Sequence, residues 1–323
     1  MKIVIKRTKQ KATRDGYGEG LLELGRKNEK IVVLCADLKS STRCSYFAKE
    51  FPERFVQVGV AEQNMASLAV GMAQEGYIPF ISSFAVFSPG RNWEQIRSSI
   101  CYSKANVKIA SSHAGVSTGA DGATHQALED IAIVRVIPNI IVLVPCDAVE
   151  AKKATIASAD VLGPVYIRLA REETSIITGD RDKFEIGKVK IVERGSDVSI
   201  ISCGPVLSCA IEARNILKRA YKIKAEIINC HTIKPIDEKS IIFSAKKTGC
   251  VVTVEEHQIS GGLGGAVAEV LSEKYPVPMK FVGMPDSFGE SGKPCELFEK
   301  YGITSGKIVQ SCVAVVAKKR SLE

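Results

Sequence analysis

Residues Phe55–Gly76, FVQVGVAEQNMASLAVGMAQEG, decide how the chain is read. Phe55, Val56, Val58 and Val60 are bulky, β-favouring residues and predict a strand. Met65, Leu68, Ala69, Met72 and Ala73 then recur at helical spacing and predict a helix, which Gly76 stops. Glu62 falls at the junction, followed by Gln63 and Asn64. It lies just past the carboxyl end of a strand, where open parallel sheets build their ligand sites. Two readings of this carboxylate stand side by side. It is a site residue, or it is a first-turn acid that complements the helix dipole.

The 323 residues are 45% hydrophobic and 25% charged, enough for two domains with cores of their own. No apolar run approaches the roughly eighteen residues of a membrane span. The start, MKIVIKRTKQKATR, has too short an apolar stretch for a secretory signal. Ten cysteines are scattered singly without a C-x-x-C pair, which predicts free thiols in a reducing cytoplasm rather than a disulfide framework or a zinc site. The net charge of +8 is carried by dispersed lysines, so nucleic acid is not the expected partner. Solvated faces, with some cations guiding anionic metabolites, account for it.

Outward from Phe55–Gly76, strands alternate with helices, and the fold class predicted is two α/β domains with mainly parallel sheets. After a basic lead-in, Glu19–Asn28 is a short helix pattern. The apolar run Ile31–Cys35 reads as a buried strand, as do Pro79–Ser82, Val107–Ser111, Ile140–Val144 and Val165–Leu169. Trp93–Tyr102 supplies one helix, and Asp147 caps another running to about Ala159. The polar stretch from Arg171 to Lys190 contains the boundary, with domains at 1–175 and 191–323 and a linker at 176–190. The second domain has strands at Val198–Ser202, Ala225–Asn229 and Val251–Glu255, and helices at Val206–Ala220 and Asp237–Thr248, the latter closed by Gly249. GGLGG at 261–265 opens another helix, but it lacks the G-x-G-x-x-G spacing of a nicotinamide site.

Three further groups of residues could carry chemistry. The loop SSHAGVSTGADGATHQALED, Ser111–Asp130, packs His113, Asp121 and His125 among glycines in a chain with four histidines. From the residues alone it is a metal site without the helical spacing that would make it specific, or a capped loop with incidental histidines. Phe80, Phe84 and Phe87 in YIPFISSFAVFSPG form an aromatic cluster of the kind usually found in a core. Arg14, Ser41 and Arg171 each flank a predicted strand end or its loop; an arginine fork suits a phosphate, but each residue by itself reads as a solvated surface group.

VGVAEQNM followed by an apolar helix resembles the glutamate segment of transketolases, more narrowly of the two-subunit transketolases in which this half is a separate chain. The resemblance runs from about Lys11 to Val316 and covers the pyrimidine-binding and C-terminal domains of a full transketolase. It implies that Glu62 contacts the aminopyrimidine ring of thiamine diphosphate and favours its imino form. Phe84 matches the ring that stacks on the pyrimidine, Phe87 a second wall, and Asp37 a residue near the thiazolium. Ile81 stands where relatives often have another aromatic. His113, Asp121 and His125 match the residues lining the sugar channel, the histidines assisting proton movements. With His113, the residues Arg14, Ser41 and Arg171 match a sugar-phosphate clamp. Ala120 departs from the family, where a glutamate often serves subunit contact. His231 and His257 read as structural.

The resemblance further implies transfer of a two-carbon ketol unit from a ketose phosphate to an aldose phosphate, as in the pentose phosphate pathway. The family's diphosphate and Mg2+ site is a GDG followed by an asparagine pair, and this chain has neither. Those ligands are expected on an N-terminal, diphosphate-binding partner subunit in an α2β2 heterotetramer. Three alternatives remain: a 1-deoxy-D-xylulose-5-phosphate synthase-like half, the beta subunit of a 2-oxo acid dehydrogenase decarboxylase, and a non-catalytic regulatory subunit. His113 argues against the first, the AEQNM segment against the second, and the retained Glu62, Phe84, His113 and His125 against the third.

Overall fold

Ile31–Cys35 is buried at every position, as a strand covered on both faces must be. The computed structural model describes residues 9–322, so the first part of the basic lead-in lies outside the described residues. Strands are numbered along the chain. The first half holds β1 (Gln10–Ala12), β2 (Ile31–Cys35), β3 (Phe55–Gln57), β4 (Ile78–Phe84), β5 (Lys108–Ser112), β6 (Ile141–Leu143), β7 (Val165–Arg168) and β8 (Glu173–Ser175). The second holds β9 (Lys190–Glu193), β10 (Val198–Ser202), β11 (Ala225–Asn229), β12 (Thr232–Lys234), β13 (Val251–Gln258) and β14 (Met279–Met284).

These strands form two main sheets, both mainly parallel, and helices pack around them. The first has seven strands in the order β12-β6-β7-β5-β4-β2-β3. Its pairs are parallel except β12 with β6. The second has five strands in the order β14-β13-β10-β11-β9, with β9 antiparallel. A small antiparallel pair joins β1 to β8, so part of the polar stretch after Arg171 is a strand. Two features of the sheets have no local signature. β12 belongs to the second half in sequence yet completes the edge of the first sheet, and β9 closes the far edge of the second.

Several predicted elements change in extent. The strand opening Phe55–Gly76 ends at Gln57, because Gly59 turns the chain with a φ of +73° before the helix Glu62–Gln74 begins. The first helix is Thr13–Lys27 rather than Glu19–Asn28. Its glycines, which weaken the helical pattern, are there for contact. A Cβ on Gly16 would stand 1.9 Å from the Ala148 carbonyl oxygen of the helix Ala148–Ala159. Trp93–Tyr102 starts as a helix at Trp93–Gln95 and widens to a π-helix at Ile96–Cys101. The helix expected over Val206–Ala220 is α-helical at Leu207–Ile216 and a π turn at Leu217–Tyr221. Asp147 caps its helix as expected, its carboxylate accepting from the Glu150 N–H at 2.8 Å. All ten cysteines are free, and no described helix is long and apolar enough to cross a membrane.

Candidate active site

Five loops leave the carboxyl ends of β2, β3, β4, β5 and β7, and parallel pairing of these neighbours aims them at one crevice. Glu62 arrives from β3 as the first residue of its helix and is 1% exposed. A buried carboxylate needs partners. Ser83 Oγ donates to Oε1 at 3.4 Å, and Arg91 Nη1 donates to Oε2 at 3.4 Å. Asn92 Nδ2 donates to the Glu62 carbonyl oxygen at 3.2 Å, which fixes the start of the helix. Both carboxylate contacts are long, so the group keeps capacity for a stronger donor.

Beside Glu62 stands an aromatic wall. Phe84 ends β4, and its ring stacks on that of Phe87 at 6.1 Å with 16° between the planes. Phe84 also stacks on His113, with centroids 3.7 Å apart. His125 meets Phe87 edge-on at 5.6 Å. The Arg91 guanidinium lies 5.5 Å from the Phe87 ring centre and so ties the wall to Glu62. Phe80 and Ile81 are fully buried, Phe80 in the cluster with Tyr17 and Leu21.

His113 follows β5 with a φ of +58° and is 3% exposed. Its Nδ1 and Ser112 Oγ are 2.9 Å apart, and its Nε2 stands 3.5 Å from Arg14 Nη1. Burial, and then the charge of Arg14, lower its pKa to about 3, so the ring is neutral at physiological pH. A neutral ring with Nε2 as acceptor satisfies both contacts. Arg14 Nη1 also donates to the Ser41 carbonyl oxygen at 3.0 Å, while Arg14 Nε is buried without a partner. Burial and the nearby Arg43 press the Arg14 pKa down, with Asp15 opposing and Arg171 adding to the effect. Arg171 Nη1 donates to the Thr118 carbonyl oxygen at 2.7 Å and to Asp121 Oδ1 at 3.0 Å. Thr118 Oγ1 in turn donates to the His113 carbonyl oxygen at 2.8 Å.

Arg14, Ser41, Glu62, Phe84, Phe87, His113, Asp121, His125 and Arg171 are thus joined in one web of contacts with Arg91 and Thr118. Asp37 stands apart from that web. It is exposed just past β2 and exchanges 3.2 Å hydrogen bonds with the Gln57 side chain. Ser41 meets Arg14 through its backbone, not its hydroxyl. Sequence reasoning missed Arg91, Ser83 and Asn92. The only signal was a cation four residues past Phe87, in FSPGRN. His231 and His257 lie away from this web. His231 stacks on Phe184 at 4.3 Å, and His257 Nε2 accepts from the Ala132 N–H at 3.3 Å.

Residues 9–175 match the transketolase pyrimidine-binding domain and residues 187–308 the transketolase C-terminal domain. The chain belongs to the transketolase family. It is 48% identical to a Methanocaldococcus jannaschii chain provisionally named a transketolase C-terminal section, over 96% of this chain and 98% of that one. It is 41% identical to a 6-deoxy-6-sulfo-D-fructose transketolase subunit of a Clostridium species, over 95% of each. A solved split-gene transketolase, described as an inactive beta4 tetramer, superposes with a TM-score of 0.88 at 47% identity, over 95% of this chain and 99% of that one.

Transketolases use thiamine diphosphate, and the crevice fits the aminopyrimidine end of that cofactor. A buried carboxylate with spare accepting capacity lies beside a stacked aromatic wall, which suits a flat ring carrying N–H groups. Among the described residues, no group of three or more His, Cys, Asp and Glu side chains is gathered as metal ligands.

Proposed function

We propose that this chain is the pyrimidine-binding and C-terminal subunit of a two-subunit transketolase, which moves a two-carbon ketol unit from a ketose phosphate to an aldose phosphate. The observation that carries this reading is the continuity between the Glu62–Phe84–Phe87 wall and the cations Arg14 and Arg171, through the neutral His113. Arg14 Nε, buried and unpartnered, is the kind of donor an incoming phosphate would satisfy.

The chemistry that thiamine diphosphate supplies when bound is nucleophilic addition to the donor's carbonyl carbon. Glu62 holds the aminopyrimidine ring by a hydrogen bond, and Phe84 and Phe87 orient it. His113 and His125 contact sugar hydroxyls and hold or move protons there, His113 as a neutral acceptor. Asp121, paired with Arg171, shapes the channel, and Asp37 lies toward the thiazolium end. Arg14, Ser41, His113 and Arg171 hold the sugar phosphate, which favours a phosphorylated ketose over a small keto acid. The diphosphate and Mg2+ ligands belong to an N-terminal partner subunit in an α2β2 assembly acting in the cytoplasm. Domains at 1–175 and 191–323, with a linker at 176–190, complete the proposal.

The test is co-expression with a partner of similar size carrying GDG and a downstream asparagine pair. Two-carbon transfer is then followed on a panel of ketose and aldose phosphates that includes pentose phosphates. Activity of the pair, and none from either subunit alone, is the expected result. Tight, magnesium-dependent cofactor binding by this chain alone would overturn the division of labour. Transfer from none of the phosphorylated donors would overturn the substrate class.

A further inference from the structure

Two residues of the proposed phosphate clamp, His113 and Arg171, are held by a short turn, Val116–Asp121, and that turn is fastened from the second domain. Glu256, on β13, is 2% exposed, and its Oε1 accepts from the Ser117 N–H at 2.5 Å. Gly115, with a φ of +92°, makes room for it, since a Cβ there would stand 2.2 Å from Glu256 Oε1. The Glu256 backbone is anchored as well. Its carbonyl accepts from Arg168 Nη2 at 2.9 Å, and Arg168 Nε donates to Asp130 at 2.8 Å. A second fastening runs through Gln126, whose Nε2 donates to the carbonyls of Val116, Gly119 and Glu290 at 2.9 to 3.2 Å.

The next residue of the turn, Thr118, reaches the clamp from both ends. Its hydroxyl donates to the His113 carbonyl, and its own carbonyl accepts from Arg171. We propose that Glu256 is a positioning residue for sugar-phosphate binding, by which the second domain sets the turn that places His113 and Arg171. The proposal rests on the functional reading given above. Glu62, Phe84 and Phe87 have no hydrogen bond to this turn and meet it only through the ring stack of Phe84 on His113, so a change at Glu256 should reach the clamp more strongly than the pyrimidine end. Glu256 also lines a cavity of about 310 Å³ between the domains, so replacing it opens on existing space rather than a sealed core.

The experiment pairs Glu256→Leu, of similar size but unable to accept a hydrogen bond, with Glu256→Gln, which keeps one oxygen for Ser117. Hydrogen–deuterium exchange of the Ser117 amide is read on the isolated chain, and steady-state kinetics on the assembled complex. Glu256→Leu should speed exchange at Ser117 by about tenfold or more and raise KM for a ketose phosphate by about tenfold, as the loss of one buried hydrogen bond implies. Its kcat and cofactor affinity should stay within about threefold of wild type, a split that general damage would not produce. Glu256→Gln should restore both readouts. Should Glu256→Leu fail to fold, Gly115→Ala displaces the same carboxylate from the other side and should reproduce the exchange and KM effects. Unchanged exchange at Ser117, or equal losses in KM, kcat and cofactor affinity, would overturn the positioning role. A wild-type complex that turns over no ketose phosphate would overturn the functional reading itself, and is recognised separately because the exchange measurement needs no substrate.

Discussion

Replacing Arg14 by alanine tests the phosphate clamp at the cation whose Nε is buried without a partner. The Nη1 donor is already committed to the Ser41 carbonyl at 3.0 Å and approaches His113 at 3.5 Å, whereas Nε has no partner. A phosphate dianion would therefore gain about one new charge-assisted hydrogen bond from this side chain, worth roughly 1.5–3 kcal/mol. At about 1.4 kcal/mol per tenfold, Arg14→Ala should raise KM for a ketose phosphate by roughly 10- to 150-fold. Phosphate is held alike before and during reaction, so kcat should change far less. The substitution also frees the Ser41 carbonyl and removes a positive charge beside His113, effects felt by any donor. The assay is therefore the ratio of KM values for a ketose phosphate and for hydroxypyruvate, in which those shared effects cancel. An unchanged ratio would refute the clamp, however large the separate losses.

Glu62→Gln should leave folding and assembly intact while slowing proton–deuterium exchange at the cofactor's thiazolium by about 10²–10⁴-fold, read by NMR in the assembled complex. Asp147→Ala should destabilise the chain by about 3 kcal/mol in chemical denaturation, because Asp147 is buried and accepts from the N–H groups of Glu150, Ile177 and Thr178. His113 is held neutral, with its pKa lowered from 6.5 to about 3, so its contribution is complete above pH 6.5 and is lost as pH falls toward 3. At about 1.4 kcal/mol per pH unit that loss is about 2 kcal/mol by pH ~5, and His113→Asn should flatten this part of the stability–pH curve.

What could be read in advance was what local sequence encodes. Glu62 stood out because a strand pattern switches to a helix pattern at that residue, and both halves of the pattern lie within Phe55–Gly76. Asp147 was legible as a cap for the same reason. The first helix was underestimated because Gly16 and its neighbours lower helix propensity, while their value is a contact with Ala148, distant in sequence. Arg91 was invisible because its meaning lies in Glu62 and Phe87, which only the fold brings to it. Glu256 was obscured for a stronger reason: its partner Ser117 is in the other half of the chain, and nothing in VEEHQ marks which carboxylate crosses over. The fold class was thus readable from periodicity, and the site only where its residues sit on elements that announce themselves.

The three-residue strand β12 has a bearing on how the chain can be cut. By pairing with β6 it occupies the outer edge of the first sheet, so a fragment ending within the linker would expose a row of unpaired peptide groups there. Such a fragment is a template for sticking to its own copies, and the two halves are poor candidates for separate expression. The same strand makes the junction a weld rather than a hinge: the second half cannot swing away without stripping hydrogen bonds from the first, so heat or denaturant should melt both in a single step.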